Sequence, residues 1–371
     1  MFSIINLIIN LSIEIIKERV HNEVTAFDLE KRKDILMTIT AKELAGKLNL
    51  SAAAVSMALN NKPGVSTATR KMVMDAAVEY GYDFSRISEK HNVTGNIYFV
   101  LYKKHGAVVA DTPFFSELSD GIVLGCKEAG YKVKISYIYG DEGDVEEQLE
   151  EIQYSNCVGI VLLGTEMAPE DLAIFQKLPV PFVLLDTYFE TVDCNYVLIN
   201  NVQGAYLAAR HLIKKTKKQP GYLRSSYPIG NFAERNSGFF KAVRSYGMAS
   251  SKSIVHMLTP SIDGAYADMK EILENKEELA PCYFADNDLI AVGAMKAFKE
   301  YGYSIPGDIS IVGFDNIPLS RIVEPSLTTI HVPKQYMGEM AARRLVTILN
   351  EKGAKPVKIE IATQLIERSS V

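Results

Sequence analysis

"TAKELAGKLNLSAAAVSMALNNKPGVSTATRKMVMDAAVEYGY", Thr40 to Tyr82, has a helical rhythm unlike the rest of the chain. Leu44, Ala45, Leu48, Val55, Leu59, Val73, Ala76 and Ala77 fall at helical spacing and can bury against one another. Thr40 and Ser66 are N-cap residues, Glu43 stands three after Thr40 as a capping box requires, and Gly81 closes the last helix. The stretch therefore predicts three short helices packed as a bundle. In the middle one, Val55 and Leu59 make the apolar stripe, and Ala52, Ala53, Ser56 and Met57 are left off it as a small, smooth face.

Outward from this bundle, composition sets bounds. The chain has 371 residues, 47% of them hydrophobic, and a formal net charge of -5. That length calls for a small module plus a two-lobed body, and the acidic balance confines any nucleic-acid contact to a local site. Thr40 to Lys90 holds only a small basic excess, so one module alone would bind DNA weakly and a second copy would be needed. Cys126, Cys157, Cys194 and Cys282 lie far apart, with no histidine at ligand spacing, and read as buried thiols of a reducing compartment without a metal site. "MFSIINLIINLSIEIIKERV", at the start, lacks a basic leading region and a small-residue cleavage site, and its apolar run is too short to span a bilayer. It reads as a poorly specified amphipathic extension, or as an upstream start before a natural beginning near Met37.

From Asn96 onward the rhythm becomes strand, helix, strand. "NIYFVLY", "YKVKISYI", "VGIVLLG", "PFVLLD", "PGYLRS", "SIVHML", "PCYFA", "ISIVGFD" and "SLTTIHV" are strand candidates, most separated by amphipathic helices. Buried strands alternating with crossover helices predict two doubly wound parallel sheets, one per lobe. "PSLTTIHVP" has the character of a segment crossing between lobes. No GxxxxGK[ST], GxGxxG in strand-turn-helix context, or GxSxG elbow occurs, and six histidines are scattered. Enzymatic catalysis and a bound cofactor are therefore disfavoured. Asp111 and Phe115 fall at the end of the first strand, where open parallel sheets bind ligands.

The Thr40–Tyr82 stretch, followed in order by "TPFFSELSDGI", "AERNSGF", "ADNDLIAVGAM", "SIPGDISIVGFDNIPLS", "EPSLTTIHVP" and "LIERSS", resembles the lactose/galactose repressor (LacI/GalR) family of bacterial transcription regulators. The resemblance implies an N-terminal extension over 1–37, an all-α helix-turn-helix head over 38–84, a hinge over 85–95, and a periplasmic-binding-protein-like α/β core over 96–371 that dimerises. It implies a cytoplasmic homodimer that reads operator DNA, as a repressor, under control of a small effector held between the lobes. By the same resemblance Thr40, Ser51, Ala52, Ala53, Ser56, Met57 and Asn60 touch DNA, and Asn200, Arg235, Asp288 and Asp315 join Asp111 and Phe115 at the effector. Forked donors on Arg235 and paired acceptors on Asp288 suit a vicinal diol, hence a carbohydrate.

The chain departs from the family pattern at three points. Met57 stands where the family commonly has an arginine that would contribute about 1–3 kcal/mol of guanine discrimination, leaving methyl contacts, serine hydroxyls and Asn60 to read the groove. "SRISEKHNVTGN" puts His91 near the place of a wedging leucine, with Glu89 toward phosphates, so the hinge lacks the usual apolar wedge. Asn200 stands where an aspartate is usual. Two alternatives stay open at this point: an exported or anchored sugar-binding protein on the same core, and an enzyme on a doubly wound fold.

Overall fold

The computed structural model describes residues 39–60, 64–83, 95–109, 113–141, 145–351 and 353–371. The hinge residues Glu89 and His91, and the apolar stretch before Met37, lie outside the described residues. The chain divides into two compact units, 1–93 and 94–371.

In the first unit, α1 (Ala41–Lys47), α2 (Ala52–Leu59) and α3 (Thr67–Glu79) pack around Leu44, Val55, Leu59, Val73 and Ala77. Each helix begins on a side-chain cap. Thr40 Oγ1 accepts from Glu43 N, and Glu43 Oε2 accepts from Thr40 N at 2.8 Å, while Ser51 and Ser66 accept from Ala54 N and Thr69 N, both at 3.1 Å. Helices this short are marginal alone, so caps worth about 1 kcal/mol each matter as much as their small core. Asn49 at φ +53° makes the turn between α1 and α2, and Gly81 at φ +67° ends α3.

The second unit holds two six-stranded sheets. In order come β1 (Asn96–Lys103), α4 (Pro113–Glu128), β2 (Lys132–Tyr139), α5 (Val145–Gln153), β3 (Cys157–Leu163), α6 (Leu172–Gln176), β4 (Phe182–Leu185) and β5 (Asn195–Ile199). Then follow α7 (Asn201–Thr216), β6 (Gly221–Ser225), α8 (Gly230–Ser245), β7 (Val255–Leu258), α9 (Ile262–Glu274), β8 (Cys282–Ala285), α10 (Asp288–Glu300), β9 (Ser310–Asp315), α11 (Leu319–Ile322) and β10 (Thr328–His331). The chain ends with α12 (Lys334–Asn350), β11 (Lys358–Ile361) and β12 (Gln364–Ile366). The first lobe's sheet has the order β11-β5-β4-β3-β1-β2, parallel throughout; the second has β12-β10-β9-β8-β6-β7, with only β12 antiparallel. These are the two wound lobes that the strand-helix alternation predicts.

Period-two alternation explains the layering. Ile97, Phe99 and Leu101 of β1 join a core with Leu118 and Ile122 of α4 and Met337 of α12, whereas Tyr98, Val100 and Tyr102 join Leu149, Leu172 and Phe175 on the opposite face. α4 and α12 lie in near backbone contact: a Cβ on Gly121 would stand 1.9 Å from Gln335 O. The chain changes lobes three times, from β5 into α7, from β10 into α12, and from β11 into β12. The second of these is the crossing expected for "PSLTTIHVP".

Candidate functional site

Two places concentrate the residues singled out by sequence. The first is the surface of α2. Ser51, Ala52, Ala53 and Ser56 are exposed, Met57 is half-buried, and Val55, Ala58 and Leu59 face the bundle core. Two of the polar side chains are occupied within the head. Asn60 is the C-cap, and its amide donates to Ser56 O at 2.7 Å and to Ser56 Oγ at 3.3 Å rather than extending outward. The Thr40 hydroxyl is held in the capping box by Glu43 Oε2 at 2.8 Å.

Sequence reasoning missed Arg70. Its guanidinium, from α3, is buried and donates to Ala58 O at 3.2 Å and Met57 O at 3.4 Å, placing a cation on the open carbonyl end of α2. The signal was available: Arg70, Val73 and Ala77 share one helical stripe, and an arginine on a buried stripe requires acceptors. Arg70→Met is expected to cost about 2 kcal/mol, the worth of hydrogen bonds from a charged donor. Amide hydrogen exchange at Ala58 to Asn60 should accelerate, and unchanged protection there would refute the role.

The second place is a cavity between the lobes of the core. Val108, Phe114, Thr165 and Asp186 form its first-lobe wall, and Asn231, Phe232, Arg235, Asn287 and Asp315 line the second. Val108 is fixed because Glu166 gathers the backbone N–H groups of Lys104, His105, Gly106, Val108 and Val109 at 2.7–3.1 Å. Burial pushes the Glu166 carboxyl pKa up, but these donors outweigh it and hold the group below its ordinary value.

Arg235, on α8, is the centre of the site. It is 4% exposed; Nε donates to Asn201 Oδ1 at 2.9 Å, Nη1 donates to Asp286 O, and Nη2 meets Asp315 Oδ1 at 3.4 Å. The guanidinium carbon lies 3.7 Å from the Phe314 ring centroid. Asp315 ends β9 at φ +104°, a strained conformation for a residue with a side chain, which turns its carboxylate toward Arg235. Burial raises the Asp315 pKa, and Arg235 and Lys334 oppose the rise.

Asp186, at the end of β4 with φ +64°, is the first lobe's counterpart. Thr165 Oγ1 donates to its Oδ2 at 2.7 Å, but Oδ1 is buried without a hydrogen-bond partner among the described residues. Burial raises its pKa to about 6. A buried acceptor left open costs about 1–3 kcal/mol, and Asp186 is one of the residues that line the cavity. The cavity itself is about 50 Å³, room for roughly three or four waters.

Of the sequence candidates, Arg235 and Asp315 are brought together here, and beside three others it is the neighbouring residue that lines the cavity or meets Arg235. Phe115 packs in the core of the first lobe, while Phe114, 5.1 Å away edge to face, lines the cavity. Asn200 caps α7, accepting from Gln203 N at 2.7 Å and donating to Glu360 Oε2 at 2.9 Å in a separate groove; its neighbour Asn201 meets Arg235. Asp288 is wholly buried, receiving Thr329 Oγ1 at 2.5 Å and Ile317 N at 2.9 Å, and Asn287 lines the cavity instead. Asp111 lies outside the described residues. No group of three or more potential metal ligands gathers among the described residues.

Known proteins resemble this chain over most of its length. Residues 209–371 match the periplasmic binding protein-like domain family. The HTH-type transcriptional repressor PurR of Mannheimia succiniciproducens is 29% identical over 335 residues, spanning 90% of this chain and 98% of that repressor. The PurR repressor of Escherichia coli O139:H28 is 28% identical over 336 residues, 90% of this chain and 96% of its own. Among solved structures, a LacI family regulator from Enterococcus faecium with bound ribose superposes with a TM-score of 0.63 at 25% identity, over 74% of this chain and 98% of that one. A complex of the transcriptional regulator CelR with cellobiose gives 0.66 at 23% identity, over 90% of this chain and all of that one (100%). The bundle, the two wound lobes and this likeness agree: over nine-tenths of its length the chain is similar to HTH-type transcriptional repressors, and it has the fold of LacI-type regulators.

Proposed function

We propose that this regulator is a cytoplasmic repressor that binds operator DNA as a homodimer through α2 of two heads. In this reading Ser51, Ala52, Ala53, Ser56 and Met57 meet the groove, and an uncharged carbohydrate held between the lobes sets operator affinity. The observation that carries the effector half is the open Asp186 Oδ1 opposite Arg235. Arg235 spends three N–H groups on protein acceptors and keeps two. A polyol can donate to Asp186 and accept from Arg235 with adjacent hydroxyls. The ribose and cellobiose complexes of related regulators agree with this class. A monosaccharide exceeds the present cavity, so its entry requires the lobes to part, and a ligand that prefers one lobe arrangement shifts the population.

The test is thermal unfolding of the purified chain against a carbohydrate panel. A ligand at one hundred times its dissociation constant should stabilise by about 2.7 kcal/mol. Asp186→Asn should weaken that ligand at least tenfold, since one acceptor becomes a donor. Falling operator affinity on ligand addition would mark induction and rising affinity co-repression; a panel with no stabilising carbohydrate would overturn the reading.

The dimer face is supported by the edge strands. β2 and β7 end their sheets, and Ile135, Tyr137, Tyr139, Val255 and Met257 stand exposed on them, with Val123 and Leu124 exposed on α4. Open edges bearing apolar side chains invite a partner, and a second copy covers such a face by symmetry. Tyr137→Lys is expected to shift sedimentation toward monomer and weaken operator binding at least tenfold. An unchanged sedimentation coefficient would remove this face from consideration. Among the described residues no helix is long and apolar enough to cross a membrane.

A further inference from the structure

A second concavity of about 380 Å³ lies at the crossover from β10 to α12, beside but separate from the effector cavity. Its walls include Arg321, His331 and Lys334, with Glu117 and Asn316. The turn between the two cavities is unusual: Asp315 at φ +104° and Asn316 at φ +53° are consecutive non-glycine residues with positive φ. Asp315 serves the effector cavity, and Asn316 belongs to the second one.

Three cations hold this turn or flank it. Lys334, 1% exposed, donates from Nζ to Asp315 O at 2.8 Å, and Arg368 Nη2 donates to Asn316 Oδ1 at 2.5 Å. That bond fixes the Asn316 amide, so its Nδ2 donates to His331 Nδ1 at 3.1 Å. His331 therefore carries its proton on Nε2 and offers a donor there. Arg321 makes no side-chain hydrogen bond or ion pair with the described residues, and Arg368 bonds only neutral acceptors, Asn316, Ser320 and Leu327. The single carboxylate in the pocket wall is Glu117, 3.6 Å from Lys334 and 40% exposed. Burial and the neighbouring cations Lys334 and Arg321 depress the His331 pKa, and burial and Arg321 depress that of Arg368.

Cations so crowded repel one another, and one half-exposed glutamate does not neutralise them. We propose that this pocket is a second ligand site, which takes a phosphate group, as a small phosphate monoester or as inorganic phosphate. The Arg321 fork is free to bind two phosphate oxygens, His331 Nε2 donates to a third, and Lys334 supplies a buried point charge in competition with Glu117. Because Lys334 also holds the Asp315 carbonyl, occupancy here acts on the residue that pairs with Arg235, so the two sites are energetically linked.

The test uses the full chain, with thermal unfolding and titration calorimetry in inorganic phosphate, in glycerol 3-phosphate and in chloride at equal ionic strength. Phosphate stabilises many proteins by exclusion from their surface, so the comparison with variants decides. Phosphate is expected to raise the midpoint above chloride, with a saturable heat. Arg321→Ala, at an exposed position where folding is not at stake, should raise the apparent dissociation constant at least tenfold, and Arg321→Lys should recover part of the loss. Lys252→Ala, at an exposed lysine that lines neither cavity, should leave phosphate binding unchanged. Tighter binding of glycerol 3-phosphate than of phosphate would identify an ester as the ligand, and equal binding the free ion. Equal phosphate response in wild type and Arg321→Ala, no response beyond chloride, or loss of the response in Lys252→Ala would each overturn the proposal.

Discussion

Arg235→Ala is expected to destabilise the core by about 3–5 kcal/mol, the range for breaking a buried ion pair by removing one member. The size follows from what is left behind. Asp315 would keep a buried carboxylate without its guanidinium, Asn201 Oδ1 and Asp286 O would lose their donor, and the Phe314 ring face would lose its packing partner. Guanidinium unfolding of the wild type and the variant checks it, and a loss below about 1 kcal/mol would show that the network contributes little. Arg235→Lys separates charge from shape: it preserves the charge opposite Asp315 but not the fork, so it should recover much of the stability and little of the effector affinity.

Asp288→Asn is expected to change how stability depends on pH. Burial, reinforced by the nearby Asp315, pushes the Asp288 carboxyl up to about 8, against an ordinary value of 3.8. Below that ordinary value the carboxyl is protonated in both folded and unfolded chains. As pH rises from about 4 to about 8, the unfolded chain gives up this proton and the folded chain keeps it. Stability therefore falls as pH rises through this window, by up to about 1.4 kcal/mol per unit for one proton. Asparagine carries no proton to lose; its Oδ1 can still accept from Ile317 N, and its Nδ2 can donate to Thr329 Oγ1 in place of the hydroxyl bond that Asp288 accepts. The variant should match the wild type near pH 4.5 and exceed it increasingly toward pH 8. Denaturant midpoints at pH 5, 6.5 and 8 measure this; Asp186 and Asp286, also raised to about 6, are common to both proteins and cancel. Parallel pH profiles would refute it.

The fold was legible because its signals are redundant. Caps at Thr40 and Ser66, the stop at Gly81 and a helical apolar stripe all agree on the head, and long apolar runs mark the central strands. The strands that escaped are β5, β11 and β12. Each is short, and β11 and β12 are edge strands of their sheets with largely open faces, so neither has a continuous apolar run. Of the candidate cavity, sequence marked Arg235 and Asp315, and at three further places it marked the neighbour of the residue that stands there. Phe115 against Phe114, Asn200 against Asn201 and Asp288 against Asn287 all fall at or near the start of a helix. There one position rotates a side chain by about 100°, exchanging cavity for core at Phe114 and Asn287 and the Arg235 contact for a separate groove at Asn201. Asp186 sat at the end of "PFVLLD", yet nothing in that string distinguishes an acid that ends a strand from one that faces a ligand. Its role depends on which groups do not reach it, and that is a property of the folded molecule alone.

The open oxygen of Asp186 also bears on selectivity. Among the described residues it accepts no hydrogen bond, and burial holds the carboxyl above its ordinary value. In the proposed reading, a ligand that supplies the missing donor recovers a deficit of about 1–3 kcal/mol, a 5- to 150-fold gain in affinity over one that does not. Part of the discrimination among ligands then comes from a bond the protein leaves unmade.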